Sequence, residues 1–389
     1  MKKQERSENR VSPWIAAGLI AFTAVLVFVI SRFRAVEPVS GEGAGTENMP
    51  EGFYYEETRA VQEGLLSMYP GAGPGSGPGA RIVPEGMDPY EYYKLPLSEF
   101  TDNGDGTCEY RGKKYKRNSY MKAILAMGID RTDTLTEEKV QSKAGMADGL
   151  FLIAQDTARN SIKVLMVPRD SILEMDFYNE DGTFRERTSG YITTTFMNGD
   201  GKEKSCEATK QAVSELLCGI TIDSYMATDL GMLAEVNDAV GGVKVTVPND
   251  ELSKKNPEWV KGKEITLHGD DAERFVRYRD TSLDLATSVY RMQQHKAYIT
   301  GFFNAVKKKQ RSDPGIVEKL FDLGSDYLIT DMSKDRYMKV ALDALTTDFS
   351  ADDIVVVPGV TAVNEYTEVY IDYEQAIPLI LDTFYREIS

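Results

Sequence analysis

The chain has 389 residues, of which 42% are hydrophobic and 27% charged, as in globular proteins with one large domain or two smaller ones. Its formal net charge is −16. A general nucleic-acid binder needs a basic face to meet phosphates, so this charge argues against one and confines any basic site to a local pocket.

The N-terminal segment has a membrane-spanning pattern. Residues 14–30 carry no charge, and their uncharged flanks extend the run to about 20 residues, the length of a spanning helix. Lysines and arginines precede the run, which favours a cytoplasmic N-terminus. We expect a cytoplasmic tail over 1–12, an uncleaved signal-anchor over 13–33 in the cell membrane, and the remaining chain outside the cytoplasm. A cleaved signal peptide is the alternative.

The composition of residues 34–95 predicts a flexible extracytoplasmic stalk. Stretches such as PGAGPGSGPGA are too rich in glycine and proline to build a hydrophobic core. TDNGDGT has the acids and glycines of a calcium loop but not its spacing, so it indicates a turn between short strands. CEYRGKKYKRN predicts a hairpin that turns at Arg111 and Gly112. Residues 96–120 would therefore form a hairpin that leads into the domain.

From about residue 117 the pattern alternates between strands and helices. YMKAILAMGI, GLFLIAQD and IKVLMVP predict buried strands, the last two paired as a hairpin. EATKQAVSELLCG, LGMLAEVNDAVGG and SVYRMQQHKAYITGFFNAVKKK predict helices, and GDDAERFVRYR predicts a helix or a turn at a strand edge. The predicted fold class is α/β, with α+β character: a central mixed β-sheet covered by helices on both faces. Residues 121–310 would form the main domain and residues 311–389 a C-terminal α/β extension of it.

Cysteine and histidine usage excludes several kinds of site. Cys108, Cys206 and Cys218 are too few and too widely spaced for a disulfide framework or a zinc site. Cys206 and Cys218 are the pair that oxidation outside the cell would join, but we favour unpaired thiols. With only His268 and His295, a Ser-His-Asp triad is also disfavoured, and no glycine-rich phosphate loop is present.

Charged residues recur where the predicted strands and helices end. A single strand-end aspartate is usually a turn or cap residue, and VPRDS alone would suit a surface salt bridge. Together the residues indicate an anion site, since arginine suits phosphate oxygens and interleaved carboxylates suit a Mg²⁺ ion that bridges phosphates. Strand ends are also where open α/β sheets bind ligands. The candidates are Asp130, Arg131, Asp148, Arg169, Asp170, Arg277, Arg279, Asp280, Asp284 and Arg291.

The order of these segments, from about Lys122 to Lys309, resembles the LytR-CpsA-Psr family of envelope proteins. ILAMGIDR is similar to the family's opening strand and turn, ADGLFLIAQD to its Asp-containing second strand, and VLMVPRDS to its Pro-Arg-Asp signature. ITIDSYMATDLGMLAEVNDAVGGVKVTV is similar to its central strand-helix-strand unit. LHGDDAERFVRYRD and RMQQHKAYI resemble its Arg-x-Arg segment and trailing helix.

The resemblance implies a Mg²⁺-assisted phosphotransferase of cell-wall biogenesis on the outer face of the membrane. Such an enzyme moves a glycopolymer from a polyprenyl-pyrophosphate carrier to a peptidoglycan acceptor. By position, Arg169 would bind the pyrophosphate and Asp170 would order the site and act as a candidate base. The resemblance also implies metal ligands at Asp148 and Asp284, further phosphate-binding catalytic arginines at Arg277 and Arg279, and substrate-binding residues at Asp130, Arg131 and Arg291.

Two positions depart from the family pattern. Met146 stands where an arginine is common, and Thr287 stands where a second arginine is common, so that Arg291 would replace it one turn later. The second metal carboxylate is then Asp284, Asp280 or neither. These departures leave two alternatives open: a non-catalytic or regulatory relative that binds polyprenyl phosphates, and a polyprenyl pyrophosphatase.

Overall fold

The computed structural model describes residues 83–84, 86–130, 144–179, 181–229, 233–278, 286–363 and 367–388. The predicted cytoplasmic tail, the signal-anchor and the stalk up to residue 82 lie outside the described residues. Across the described ranges, no helix combines the length and the apolar character that crossing a membrane requires.

Strands and helices alternate along most of the described chain, as the sequence predicts. The strands are Phe100–Asp102 (β1), Thr107–Tyr110 (β2), Lys113–Arg117 (β3), Met121–Ile129 (β4), Ala147–Asp156 (β5), Ser161–Val167 (β6), Ile172–Tyr178 (β7), Phe184–Tyr191 (β8), Ser224–Thr228 (β9), Val243–Thr246 (β10), Glu264–Leu267 (β11), Leu328–Thr330 (β12), Ile354–Val356 (β13), Gly359–Val363 (β14), Thr367–Ile371 (β15) and Tyr385–Ile388 (β16). The helices are Pro89–Lys94 (α1), Glu203–Leu216 (α2), Leu233–Ala239 (α3), Leu252–Lys255 (α4), Asp270–Arg277 (α5), Ala286–Gln310 (α6), Ile316–Gly324 (α7), Lys334–Leu345 (α8) and Tyr373–Phe384 (α9).

The central sheet is mixed and has the strand order β12-β9-β4-β5-β6-β13. β4 is parallel to β9 and antiparallel to β5, β5 is antiparallel to β6, and β13 is parallel to β6. The carboxyl ends of β4, β6, β9 and β13 therefore meet the amino end of β5 at one edge of the sheet. We call this edge the upper edge.

Both faces of the central sheet are buried, as the sequence predicts for strands that are apolar on both sides. On one face, Phe151 and Val164 belong to a core cluster that includes Phe275 of α5 and Phe302 of α6. On the other face, Leu152 and Leu165 belong to a second cluster with residues of α2 and α9, such as Val213 and Ile377. Consecutive residues of a strand point to opposite faces, so one strand supplies both clusters.

A four-stranded sheet with the order β1-β2-β3-β16 lies outside the central sheet. The predicted hairpin turn at Arg111 and Gly112 is confirmed, with φ of 50° and 75°. Positive φ at both positions gives the twist that a two-residue hairpin turn needs, and Gly112 adopts it without a side-chain clash. The C-terminal strand β16 pairs with β3, so the end of the chain closes this small sheet.

Three features refine the predictions from sequence. The predicted stalk is too long at its C-terminal end, because α1 is helical and its Tyr93 is buried beside Ile172 and Tyr370. The β7–β8 hairpin was not predicted; most residues of β8 are exposed, so the strand lacks the apolar alternation that marks a half-buried strand. Cys206 and Cys218 are free thiols, as favoured, and so is Cys108.

Candidate functional site

The segment Pro168–Ser171 forms a turn at the upper edge, directly after β6. Proline has no N–H and ends the ladder, and both the backbone N–H and the hydroxyl of Ser171 donate to the Pro168 carbonyl, at 3.1 and 2.7 Å. The backbone of the turn is also held from outside. Thr193 N–H donates to the Arg169 carbonyl at 3.2 Å, and Val369 N–H donates to the Asp170 carbonyl at 2.9 Å. These hydrogen bonds fix the backbone positions of Arg169 and Asp170.

Asp148 faces this turn because the ladder between β4 and β5 is irregular at its position. Gly128 pairs with Gly149, but Ile129 pairs with Ala147, so Asp148 is the extra residue of a β-bulge. A bulge redirects the side chain of its extra residue, and bulges are frequent beside active sites. The position of Asp148 thus follows from backbone register, which the residue order alone does not reveal.

Arg169 joins the two carboxylates of the site. Its Nη1 atom lies 2.8 Å from Oδ1 of Asp148, and its Nε donates to Oδ1 of Asp170 at 3.1 Å. The Thr193 hydroxyl, from the 3₁₀ turn after β8, also donates to Oδ1 of Asp148, at 3.0 Å. Asp148 is fully buried, whereas the side chains of Arg169 and Asp170 are 17% and 21% exposed. We call Asp148, Arg169, Asp170 and Thr193 the upper-edge cluster.

Two further carboxylates lie at the same edge. Asp130 follows β4, and its N–H donates to the Met146 carbonyl at 2.9 Å, which places it across the ladder from the start of β5. Asp229 follows β9, the parallel neighbour of β4, and is 97% buried. Asp229 was missed by the sequence analysis, although it carries the same signal as Asp130, an aspartate directly after a buried strand.

Arg277 lies on a different element, at the C-terminal end of α5. Its guanidinium forms an ion pair with Glu273, one turn earlier on the same helix. A ring nitrogen of the buried His295 on α6 lies 3.1 Å from the Val276 carbonyl, so His295 fixes the end of α5 and, through it, the backbone of Arg277. This contact gives His295 a structural role.

The remaining predicted residues cannot be placed. Arg131, Arg279, Asp280 and Asp284 lie outside the described residues, and only the backbone of Thr287 and Arg291, within α6, is described. The upper-edge cluster therefore brings together three of the predicted site residues: Asp148, Arg169 and Asp170.

The donor set at the upper edge fits Mg²⁺ bound together with a phosphate ligand. Among the described residues there is no group of three or more histidines, cysteines and acids arranged for a metal. Mg²⁺, however, often takes one or two carboxylates and completes its shell with phosphate oxygens and water. Asp148, at the start of β5, and Asp130, directly after β4, are the residues that would supply such carboxylates.

Comparison with known proteins identifies relatives of this chain. A model of the LytR_cpsA_psr family matches residues 101–380. The chain is 26% identical over 212 residues to the polyisoprenyl-teichoic acid–peptidoglycan teichoic acid transferase TagV of Bacillus subtilis, a match that covers 51% of this chain and 49% of the relative. It is 29% identical over 210 residues to the cell wall biosynthesis protein LcpA of Corynebacterium glutamicum, covering 47% of this chain and 39% of that one.

The chain spans about half the length of the first curated relatives it matches. Among solved structures, the protein gbs0355 of Streptococcus agalactiae superimposes with a TM-score of 0.50 at 18% identity, covering 69% of this chain and 90% of that one. At this identity the likeness concerns the fold, a mixed α/β arrangement with a mixed central sheet and helices.

Proposed function

The chain belongs to the LytR_cpsA_psr family, and from this premise we propose that it transfers a glycopolymer from a polyprenyl-pyrophosphate carrier to peptidoglycan. The proposed reaction uses Mg²⁺ and takes place on the outer face of the cell membrane. Residues 13–33 would anchor the chain to this membrane. Digestion of the domain by protease added to intact spheroplasts would support this placement, and protection until lysis would contradict it.

The observation that carries the proposal is the arrangement of Arg169 between Asp148 and Asp170. A guanidinium held by two carboxylates is oriented before the ligand arrives, and its partial exposure leaves it accessible to phosphate oxygens. The three groups come from a bulge and a turn that backbone hydrogen bonds hold in place. Such preorganisation is what electrostatic stabilisation of a charged leaving group requires.

The chemistry assigned to these residues follows from charge. When the phosphoryl group is transferred, the leaving phosphate of the carrier gains negative charge, and Arg169 would stabilise it. Mg²⁺, when bound, would neutralise part of the same charge. Asp170 is the more exposed of the two carboxylates in the cluster and is the one that can accept a proton from an attacking sugar hydroxyl.

Binding of polyprenyl pyrophosphate to the full chain in detergent tests the proposal. Arg169→Ala should weaken binding by roughly 10- to 100-fold, the effect of losing hydrogen bonds to a charged group. Arg169→Lys should recover only part of the affinity, because an ammonium cannot reproduce a two-pronged contact. The control is Arg185→Ala, which removes an exposed arginine paired with Glu186 on the β7–β8 hairpin. Wild-type affinity of a folded Arg169→Ala variant would reduce the cluster to a structural salt bridge.

A binding protein without turnover is the second candidate, and Met146 is the observation that favours it. Met146 lies beside Asp130 at the upper edge, where an arginine is common in the family, and a thioether cannot neutralise a phosphate. Incubating the protein with glycopolymer-linked carrier, Mg²⁺ and peptidoglycan separates the functions. A transferase joins polymer to peptidoglycan and leaves polyprenyl phosphate, a pyrophosphatase hydrolyses the carrier to polyprenyl phosphate and polymer phosphate without an acceptor, and a binding protein does neither.

A further inference from the structure

A cavity of about 420 Å³ lies at the end of the central sheet opposite the upper edge. Its wall is formed by β2, β3 and β16 of the small sheet, the C-terminal half of α9 and the β5–β6 turn. The volume falls within the range of roughly 300–1,000 Å³ that is usual for ligand sites. Asp148 and Asp156 stand eight steps apart on β5, which places the cavity about 26 Å from the upper-edge cluster.

Three tyrosines line this cavity: Tyr110, Tyr115 and Tyr385. Tyr110 is 95% buried, and its hydroxyl has no hydrogen-bond partner among the described residues. Burial raises the pKa of Tyr110, and burial also raises the pKa of Tyr385 to about 12. Tyrosine hydroxyls are protonated at neutral pH, so the hydroxyl of the half-buried Tyr385 can donate to a ligand.

The charged residues around the cavity favour a ligand that is itself uncharged. Three carboxylates and two guanidinium groups line the wall, so its formal net charge is −1. This slightly negative charge disfavours a polymer rich in phosphate. The charged side chains still supply both hydrogen-bond donors and acceptors for hydroxyl and amide groups. The charged residues are Asp156, Arg159, Asp382, Arg386 and Glu387.

We propose that this cavity binds a short stretch of a neutral, N-acetylated glycan strand. Tyrosine rings offer apolar faces for pyranose C–H groups and hydroxyls for their polar edges. Asp382 and Arg386 would bond to sugar hydroxyl and acetamido groups at the rim. The choice of a glycan among neutral polar ligands rests on the proposed function. Such a site, distant from Arg169, would hold the acceptor strand by sugar units that do not react.

Titration of the full chain in detergent with a lipid-free β-1,4-linked N-acetylglucosamine oligosaccharide tests this inference. Tyr115→Ala should raise the dissociation constant roughly two- to tenfold, the contribution of one aromatic contact. Asp382→Ala, at a position whose side chain is 76% exposed, should have an effect of similar size. The matched control is Tyr120→Ala, because Tyr120 is 55% exposed, lies near Asn118 and does not line the cavity.

The outcomes separate this inference from the proposed function. Saccharide binding that depends on Tyr115 and Asp382 supports the inference, even if polyprenyl pyrophosphate does not bind at Arg169. The inference fails if the wild type does not bind the saccharide, or if both cavity variants bind it unchanged. It also fails if Arg169→Ala alone removes saccharide binding. A lipid-free polyol-phosphate oligomer should bind at least tenfold more weakly at the cavity; equal, Tyr115-dependent affinity would overturn the assignment of a neutral glycan.

Discussion

Strand β5 has a buried aspartate near each end, and the two carboxylates have different partners. Asp156, in the lower half of the sheet, accepts from the backbone N–H groups of Ala158 and Arg159 at 2.9 and 3.0 Å, and from the Asn118 side chain at 3.2 Å. Its contact with a cation is long, 3.9 Å to the exposed Arg386. Asp148, at the upper edge, lies 2.8 Å from the Arg169 guanidinium.

The difference shows that burial of a carboxylate does not by itself mark a functional site. Asp156 is satisfied mainly by neutral groups of its own turn, so it stabilises the β5–β6 connection. The negative charge of Asp148 is neutralised by the guanidinium of Arg169, which comes from the turn after β6. Arg169 also contacts Asp170, and its side chain is partly exposed. An anionic ligand can compete for such a cation, but it cannot compete for backbone amides inside a turn.

The largest expected effect comes from removing the cation of the upper-edge cluster. Strand-end charges usually contribute little to stability, but Arg169→Ala leaves the fully buried Asp148 with a hydroxyl as its remaining donor in the cluster. We expect the free energy of unfolding to fall by about 3 kcal/mol, the lower end of the cost of breaking a buried pair, since Arg169 is 17% exposed. Denaturant unfolding of the full chain in detergent measures this loss.

The double variant Arg169→Ala, Asp148→Asn provides the control for that prediction. Asparagine keeps the oxygen that accepts from Thr193 and removes the stranded charge, so the double variant should be more stable than Arg169→Ala. If the second substitution adds to the loss, the buried charge of Asp148 is not what Arg169 stabilises.

A smaller effect is expected at the lower aspartate. Asp156→Ala removes the acceptor for two backbone N–H groups and for Asn118, which should lower the free energy of unfolding by about 1–3 kcal/mol. Asp156→Asn should recover much of this, because an amide oxygen still accepts from both N–H groups. Affinity for polyprenyl pyrophosphate, measured in the same detergent, should not change. A loss of affinity would mean that the two ends of β5 are not functionally distinct.

Residue order was enough to predict strands β4, β5 and β6 of the central sheet, the long helix α6 and the Arg111–Gly112 turn. These depend on local signals: continuous apolar runs, helical periodicity and a residue that tolerates positive φ. The β7–β8 hairpin carries little apolar alternation because solvent covers most of β8. The pairing of β16 with β3 joins residues more than 260 positions apart, which no local pattern encodes.

The candidate site was predictable in composition but not in geometry. Aspartates and arginines at the ends of buried strands identified Asp148, Arg169 and Asp170, and the antiparallel ladder between β5 and β6 brings their elements to one edge. The bulge that redirects Asp148 and the hydroxyl of Thr193 depend on register and on a 3₁₀ turn 45 residues away. Asp229 has the same strand-end signal as Asp130, and only the parallel pairing of β4 with β9 shows that both lie at one edge.

The smallest expected effect on stability lies within the cluster itself, at Asp170. Its side chain is 21% exposed and its contact with Nε of Arg169 is 3.1 Å, so it resembles a surface pair more than a buried one. Asp170→Asn should lower the free energy of unfolding by less than about 1 kcal/mol. The amide oxygen can still accept from Nε, so Arg169 should keep its orientation and polyprenyl pyrophosphate should still bind.

Transfer to peptidoglycan by Asp170→Asn should nevertheless fall, because an amide cannot take a proton from the attacking hydroxyl. Measuring unfolding, binding and transfer on the same variant separates these roles: a loss of stability as large as that of Arg169→Ala would place Asp170 with the structural carboxylates, beside Asp156, and unchanged transfer would remove it as the candidate base.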